Sequence, residues 1–439
     1  MKRYSILLSL LIIGAGFRLF VLELRPEGAL LLAPDEPEYL EIAQHIWMGE
    51  GFSFGGKPTA YRDMLLPYVT AGVMTVSGGD FKPIFYVQLL LSLLTGLFLF
   101  LVASKRFNEN TAYGVMLVWM LYPAAAVFTS LLLTETLFVF FWVLAIWLHD
   151  KLEESGYAIR EALILGIVLG LLCLTRAAGA ILLATVFIYV FLIRHETQFV
   201  LRAKAVSFVL IGALVLMVPW MIRNQTVMER FALNTNGGIN LLIGNNPYMN
   251  GGYYFDERVE SIIPEEAHTE AQRDVAGVHA AREFAQGNLR ETANMWATKF
   301  AYLWSTDMAM LAHFAPVRGA ESLAETLREQ PVGALILMAI PFAILVILGL
   351  CGFYLVLKFP ARGFFILQLS LGALATFISF GLPRFHFPLM PAVILGAAAY
   401  FEDQPWEKAP PWRRLSLLLA IGVFMGVWTF ETVKIIGLM

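Results

Sequence analysis

Apolar positions in this chain cluster into long blocks instead of alternating with polar ones. Such blocks lie near 4–24, 84–104, 112–129, 131–149, 161–175, 177–194, 205–222, 333–357, 363–381, 385–401 and 415–437. Each approaches the roughly 20 residues a helix needs to cross a hydrocarbon core. The pattern predicts an all-α polytopic membrane protein of about eleven transmembrane helices, with one domain over residues 1–439 and no separate soluble domain. Lys2 and Arg3 precede the first block as they would in a signal peptide. No small-residue cleavage site follows, and the run continues through Arg18 to Leu24, which predicts an uncleaved helix.

Lysines and arginines set the orientation. With the N-terminus in the cytoplasm, the inner connections hold Lys2, Arg3, Lys105, Arg106, Lys151, Arg160, Arg194, Arg202, Lys204, Lys358, Arg362, Lys408, Arg413 and Arg414. The short outer connections hold only Arg176 and Arg384. Two long segments, 25–83 and 223–332, then fall on the outer face. In the first, PDEPEYLEIAQHIWMGEGF predicts a short interfacial helix: Pro37 suits a first turn, Asp35 and Glu36 sit at its entry, and Ile42, Ile46 and Trp47 form an apolar stripe. MLLPYVTAGVMTVSGG reads as a re-entrant or interfacial helix. The second segment runs from an Asn- and Gly-rich stretch into a polar helix ending KFAYLW.

Composition agrees: 58% of the 439 residues are hydrophobic and 15% charged, against about 45–50% and about 25% in soluble proteins. A net charge of -3 argues against nucleic-acid binding. No Gly-rich loop opens a helix after a strand, so no nucleotide site is indicated. Cys173 and Cys351 lie inside apolar runs and read as core residues. His268, His279 and His313 lack metal-ligand spacing and read as surface residues.

Ionisable residues at membrane depth are costly and usually functional, and here they gather toward the outer leaflet. Asp35, Glu36, Arg62 in YRDMLLPY, Glu135 in LLLTETLF, Arg176 in CLTRAAGAI, Arg223 in PWMIRN, and Arg384 and His386 in GLPRFHFPL all map there. Each has a plainer alternative: solvated helix-entry acids for Asp35 and Glu36, a structural ion pair for Glu135 with Arg176, an interfacial anchor for Arg223, a packed imidazole for His386. Taken together they predict one polar cavity open to the outside. No nucleotide donor is available there, so group transfer needs a lipid-borne donor such as a sugar on a polyprenyl phosphate. Arginines suit its phosphate, and one ionised carboxylate suffices as base on an acceptor hydroxyl.

These residues, in this order, resemble the membrane-embedded C-type glycosyltransferases, specifically the protein O-mannosyltransferase-like family 39 that includes the lipid A aminoarabinose transferases. The acidic pair Asp35-Glu36, YRDMLLPY, TETLF, LTRAAG, PWMIRN, TNGGINLLIGNNP, KFAYLW and PRFHFPLMP carry the likeness over nearly the whole chain. It implies an inverting transfer from a polyprenyl-phosphate sugar to a lipid or protein acceptor, at the outer face of the inner (plasma) membrane. Asp35 takes the role of general base and Glu36 supports it. Arg62, Glu135, Arg176, Arg223, Asn245, Lys299, Arg384 and His386 are its implied donor phosphate or sugar contacts. The resemblance fixes no cofactor: some relatives need a divalent cation and others do not, and Asp35, Glu36 and Glu38 are the clustered acids at which one is possible. Asp63-Met64 stands where relatives often show prolines, and the soluble outer domain of some relatives has no counterpart after the last helix. Two other readings stay open: an oligosaccharide polymerase or ligase working through arginines of 223–332, and a non-catalytic lipid-carrier transporter.

Overall fold

The computed structural model describes residues 2–25, 31–194, 197–314, 323–359, 361–403, 405–407 and 409–436. Lys408 lies outside them, as do the side chains of Lys2 and His313. All eleven apolar blocks are helical. Among the described residues, six helices are long and apolar enough to cross a membrane: Arg3–Glu23, Ile84–Ser104, Phe199–Met228, Val332–Leu355, Pro383–Asp403 and Pro411–Val433. The block at 112–129 differs from the expected single helix. It is a pair, Glu109–Leu121 and Pro123–Thr129, bent by 51°. Pro123 has no N–H to continue the ladder and disfavours helical backbone at Tyr122, which is extended. The other blocks are helices that are shorter or charged at one end, such as Glu135–Glu154 and Ile159–Thr175.

Lipid tails are as apolar as leucine, so helices in a bilayer associate through close packing and internal polar contacts. Both occur here. Ile159–Thr175 meets Phe199–Met228 at Gly166 and Gly212; a Cβ on Gly166 would stand 2.2 Å from the Val209 carbonyl oxygen. Arg18, fully buried, donates to Ser92 Oγ at 2.9 Å and to the Met120 and Trp119 carbonyls at 2.8 and 3.2 Å. The first helix is thereby locked to two others.

In their described parts the two long segments bond to each other, as at Thr235 N with Ala60 O, and to the helical body, as at Leu132 N with Glu36. The first carries the helix Glu36–Met48, a two-stranded hairpin (Ser53–Phe54 with Lys57–Pro58, Ser53 opposite Pro58) and the helix Leu65–Val76. The hairpin turns at Gly55 and Gly56, both at positive φ. The second carries the helices Gly237–Gly244, Glu270–Gly287 and Leu289–Leu303. Gly238 and Gly277 let the first two touch, since a Cβ on Gly238 would fall 1.8 Å from the Asp274 carbonyl oxygen.

Candidate active site

Asp35 is the residue before the Glu36–Met48 helix, yet its side chain does not cap that helix. It lies between two guanidinium groups. Arg62 Nη2 donates to Oδ1 at 3.0 Å and Arg384 Nη1 to Oδ2 at 2.8 Å. The three side chains remain partly open, Arg62 at 15% and Asp35 and Arg384 at 23% exposed. Burial alone would raise the Asp35 pKa. The nearby charges of Arg384 and Arg62, with their hydrogen bonds, outweigh it and hold the carboxyl at about 2. Arg62 Nε also donates to Glu38 at 2.8 Å, and its guanidinium stacks over Tyr39 and Tyr61. Arg384 is carried by the tight turn Pro383–Phe385, which opens the tenth block.

A second ion pair adjoins the first. The helix Ile159–Thr175 ends where Arg176 turns to extended backbone, and Arg176 donates to Glu135 Oε1 at 2.6 Å. Glu135 begins the Glu135–Glu154 helix and is buried. Its charge acts on Arg384, joining the two pairs into one cluster. Asp63 belongs to it as well. Its carboxylate accepts from Asn234 at 2.8 Å and lies within the fields of Arg176 and Arg62. Burial dominates there and pushes the Asp63 pKa up to about 6, against the opposing pull of those partners.

The backbone around Arg62 is held from outside. Glu270, in the first turn of Glu270–Gly287, accepts from Thr59 Oγ1 at 2.6 Å, Ala60 N at 3.1 Å and Thr235 Oγ1 at 2.9 Å. Thr235 N donates to Ala60 O at 3.0 Å, Asn236 Nδ2 to Tyr61 O at 2.8 Å, and Arg223 to the Thr59 and Phe52 carbonyls at 2.6 and 2.8 Å. Thr59, Ala60, Tyr61 and Asp63 are therefore all tied to the second long segment. The Arg62 side chain points the other way, to Asp35 and Glu38.

The structure thus brings together Asp35, Arg62, Glu135, Arg176 and Arg384. It places the other sequence-derived candidates elsewhere. Glu36 is fully buried, and its carboxylate accepts from the backbone of Leu32, Ala33 and Leu132, pinning the chain ahead of its helix to the 130–134 loop. Arg223 serves the backbone clamp and stacks on Phe52 and Trp220. Asn245 donates to the Leu241 and Ile378 carbonyls at 2.8 and 2.7 Å. Lys299 donates to Phe377 O at 2.9 Å, and burial lowers its pKa to about 8. His386 is sealed in a core network, Nδ1 at 2.7 Å from Leu303 O and Nε2 at 2.8 Å from Asp307, which also accepts from the Tyr122 hydroxyl. Asp63, Glu270 and Tyr253 were missed in the sequence. Asp63 follows Arg62 directly, and Glu270 sits in a capping box, Thr269 with Gln272. Tyr253 feels the charges of Asp35, Arg62, Arg384 and Glu38.

A divalent cation does not fit the Asp35 group. Both Asp35 oxygens and a Glu38 oxygen are taken by guanidinium nitrogens, and the Glu36 carboxylate is spent on backbone amides. Among the described residues, a group with metal-binding spacing is His149, Asp150 and Glu153, near the other end of the Glu135–Glu154 helix. There Arg106 holds Asp150 through two 2.6 Å contacts, and Arg194 lies 3.0 Å from Glu153.

Residues 59–222 match the family model described as dolichyl-phosphate-mannose-protein mannosyltransferase. No curated protein matches the chain by sequence. The archaeal oligosaccharyltransferase AglB from Archaeoglobus fulgidus, in complex with an inhibitory peptide and a dolichol-phosphate, is similar in structure. The TM-score is 0.53 at 13% identity, over 97% of this chain and 55% of that one. The Archaeoglobus fulgidus oligosaccharyltransferase in complex with Zn and sulfate gives 0.52 at 14% identity, over 95% and 52%. ArnT from Cupriavidus metallidurans bound to undecaprenyl phosphate gives 0.46 at 13% identity, over 90% and 77%. This chain spans about half the length of the two oligosaccharyltransferase chains. The structural likeness gives this chain the fold of the Archaeoglobus fulgidus oligosaccharyltransferase membrane part, and the family match lies within it at residues 59–222.

Proposed function

We propose that this protein is an inverting glycosyltransferase that moves a sugar from a polyprenyl-phosphate donor to a hydroxyl acceptor, with Asp35 as general base. The observation that carries this reading is the double salt bridge of Asp35 to Arg62 and Arg384, beside the Glu135–Arg176 pair. Two cations on an ionised carboxylate, with a third in the adjoining pair, are what the reaction needs on its two sides. The donor phosphate docks on guanidinium nitrogens of Arg62, Arg176 and Arg384, competing with the carboxylates for them. Asp35 is proton-free but quenched while both arginines hold it. As the phosphate draws them off, its affinity for a proton rises toward the ordinary carboxylate range.

The acceptor oxygen then attacks the anomeric carbon, its proton passes to Asp35, and the bond from that carbon to the phosphate oxygen breaks. Polyprenyl phosphate departs on the opposite face, so the configuration inverts. Its charge is stabilised by arginines already in place. Basic residues at the other helix ends, Lys105, Arg106 and Arg194 among them, support an N-terminus inside and a site facing outward. Arginines of the second segment give less support to a ligase or polymerase: Arg223, Arg230, Arg258 and Arg273 are engaged within the outer segments. A transfer assay on Asp35→Asn tests the reading. Transfer is expected to be lost while polyprenyl phosphate still binds, and full transfer would overturn it.

A further inference from the structure

The cluster contains two buried polar atoms that the proposed chemistry leaves without partners. Glu135 gives Oε1 to Arg176 at 2.6 Å, whereas its Oε2 is buried and bonded to nothing. Arg384 gives Nη1 to Asp35 at 2.8 Å, whereas its Nε–H is buried and bonded to nothing. Glu135 is 98% buried, at 2% exposure. Orphaned groups of this kind are costly, and more so when charged. The two side chains attract each other. They still do not form an ion pair: no nitrogen–oxygen distance between them falls within 4.0 Å.

The two atoms are complementary in sense. An ionised carboxylate oxygen only accepts, and a guanidinium Nε–H only donates. A phosphate oxygen would satisfy Arg384 and be repelled by Glu135; an ammonium would do the reverse. A hydroxyl donates to one and accepts from the other. An oxygen placed about 2.7 Å from a carboxylate and about 2.9 Å from an N–H donor holds them roughly 4.6 Å apart at a tetrahedral angle, a separation beyond ion-pair contact. We infer that Glu135 and Arg384 form a subsite for one hydroxyl group of the donor's sugar.

This rests on the proposed function, which puts the donor phosphate on Arg176 and Arg384. Glu135 is bonded to the first and attracted to the second, so the group beside it is the sugar ring attached to that phosphate. An inverting acceptor comes from the far side. Both orphan atoms are sealed from solvent, so the hydroxyl is admitted as the phosphate loosens the Asp35–Arg384 pair. The subsite explains why a carboxylate is kept among phosphate-binding arginines, where it weakens the field.

The test compares two lipids binding to the full chain in nanodiscs: sugar-free polyprenyl phosphate, and the tightest binder from a panel of polyprenyl-phosphate pentoses and hexoses. In Glu135→Gln the sugar-bearing lipid is expected to bind at least about tenfold more weakly, while the sugar-free lipid, whose phosphate gains the Arg176 nitrogen that Glu135 held, binds no more weakly than to wild type. A monodeoxy series on the wild-type protein is expected to give one hydroxyl whose removal costs about the same, and Glu135→Gln then adds no further loss. That series stands even if the variant fails to fold. Equal weakening of both lipids, weakening of neither (a resident water only), or a deoxy series with no sensitive position would overturn the inference. Failure of wild-type protein to bind either lipid would instead bring down the proposed function, and this subsite with it.

Discussion

Asp63 makes the clearest quantitative test of the cluster's electrostatics. Burial raises its pKa from 3.8 to about 6 despite the Asn234 hydrogen bond and the nearby arginines. The folded protein therefore holds a proton that the unfolded chain has released between those values. A group raised in this way costs stability as pH climbs from the unfolded to the folded pKa. Its full cost, on the order of 3 kcal/mol, is reached above pH 6. About 2 kcal/mol of that falls between pH 4.5 and 7.5 by the same relation. Asp63→Asn keeps the shape and still accepts from Asn234 but cannot ionise. Thermal unfolding of the reconstituted protein across this window is the assay. Wild type is expected to lose stability as pH rises to about 6 and then level off. The variant is expected to lack that slope and to be the more stable protein at pH 7.5. Parallel profiles for the two proteins would refute the claim that Asp63 is a half-buried carboxyl holding its proton up to about pH 6.

Two further outcomes follow from the same contacts. Glu270→Gln places an amide donor among three donors from Thr59, Ala60 and Thr235; the dissociation constant for polyprenyl phosphate should rise several-fold as Arg62 loses its fixed base, and unchanged binding would remove Glu270 from the clamp. Gly166→Ala sets a methyl 2.2 Å from a backbone oxygen that cannot yield and should cost roughly 1–3 kcal/mol of stability, read as a lower unfolding midpoint, whereas Gly114→Ala, with nothing within 4 Å, should not.

Much of this architecture is legible in the hydrophobic pattern, because a bilayer admits few backbone solutions. The break at Pro123 was equally visible, but apolar residues on both sides hid it within one block. At the site the sequence names residue types without their directions. Asp35 and Glu36 are adjacent, and successive helical positions point about 100° apart. One carboxylate meets two arginines while the other turns inward to three backbone amides. Arg384 and His386 diverge in the same way, across the turn Pro383–Phe385, one into the cluster and one into the core. Glu270 lies 208 positions beyond Arg62, and no local pattern links it to the loop it grips. Asp63 read as a departure from proline, and only the fold shows that it contributes a carboxylate beside Arg176.

The central claim is that Asp35, held by Arg62 and Arg384, is the base of a lipid-phosphate-dependent sugar transfer. Its most direct measurement is turnover of a polyprenyl-phosphate sugar by wild type and Asp35→Asn in vesicles, with host envelope material as acceptor and release of polyprenyl phosphate as the signal. The account predicts a fall of about 10²–10⁴-fold, with lipid binding and unfolding midpoint kept. Wild-type turnover by the variant would contradict it.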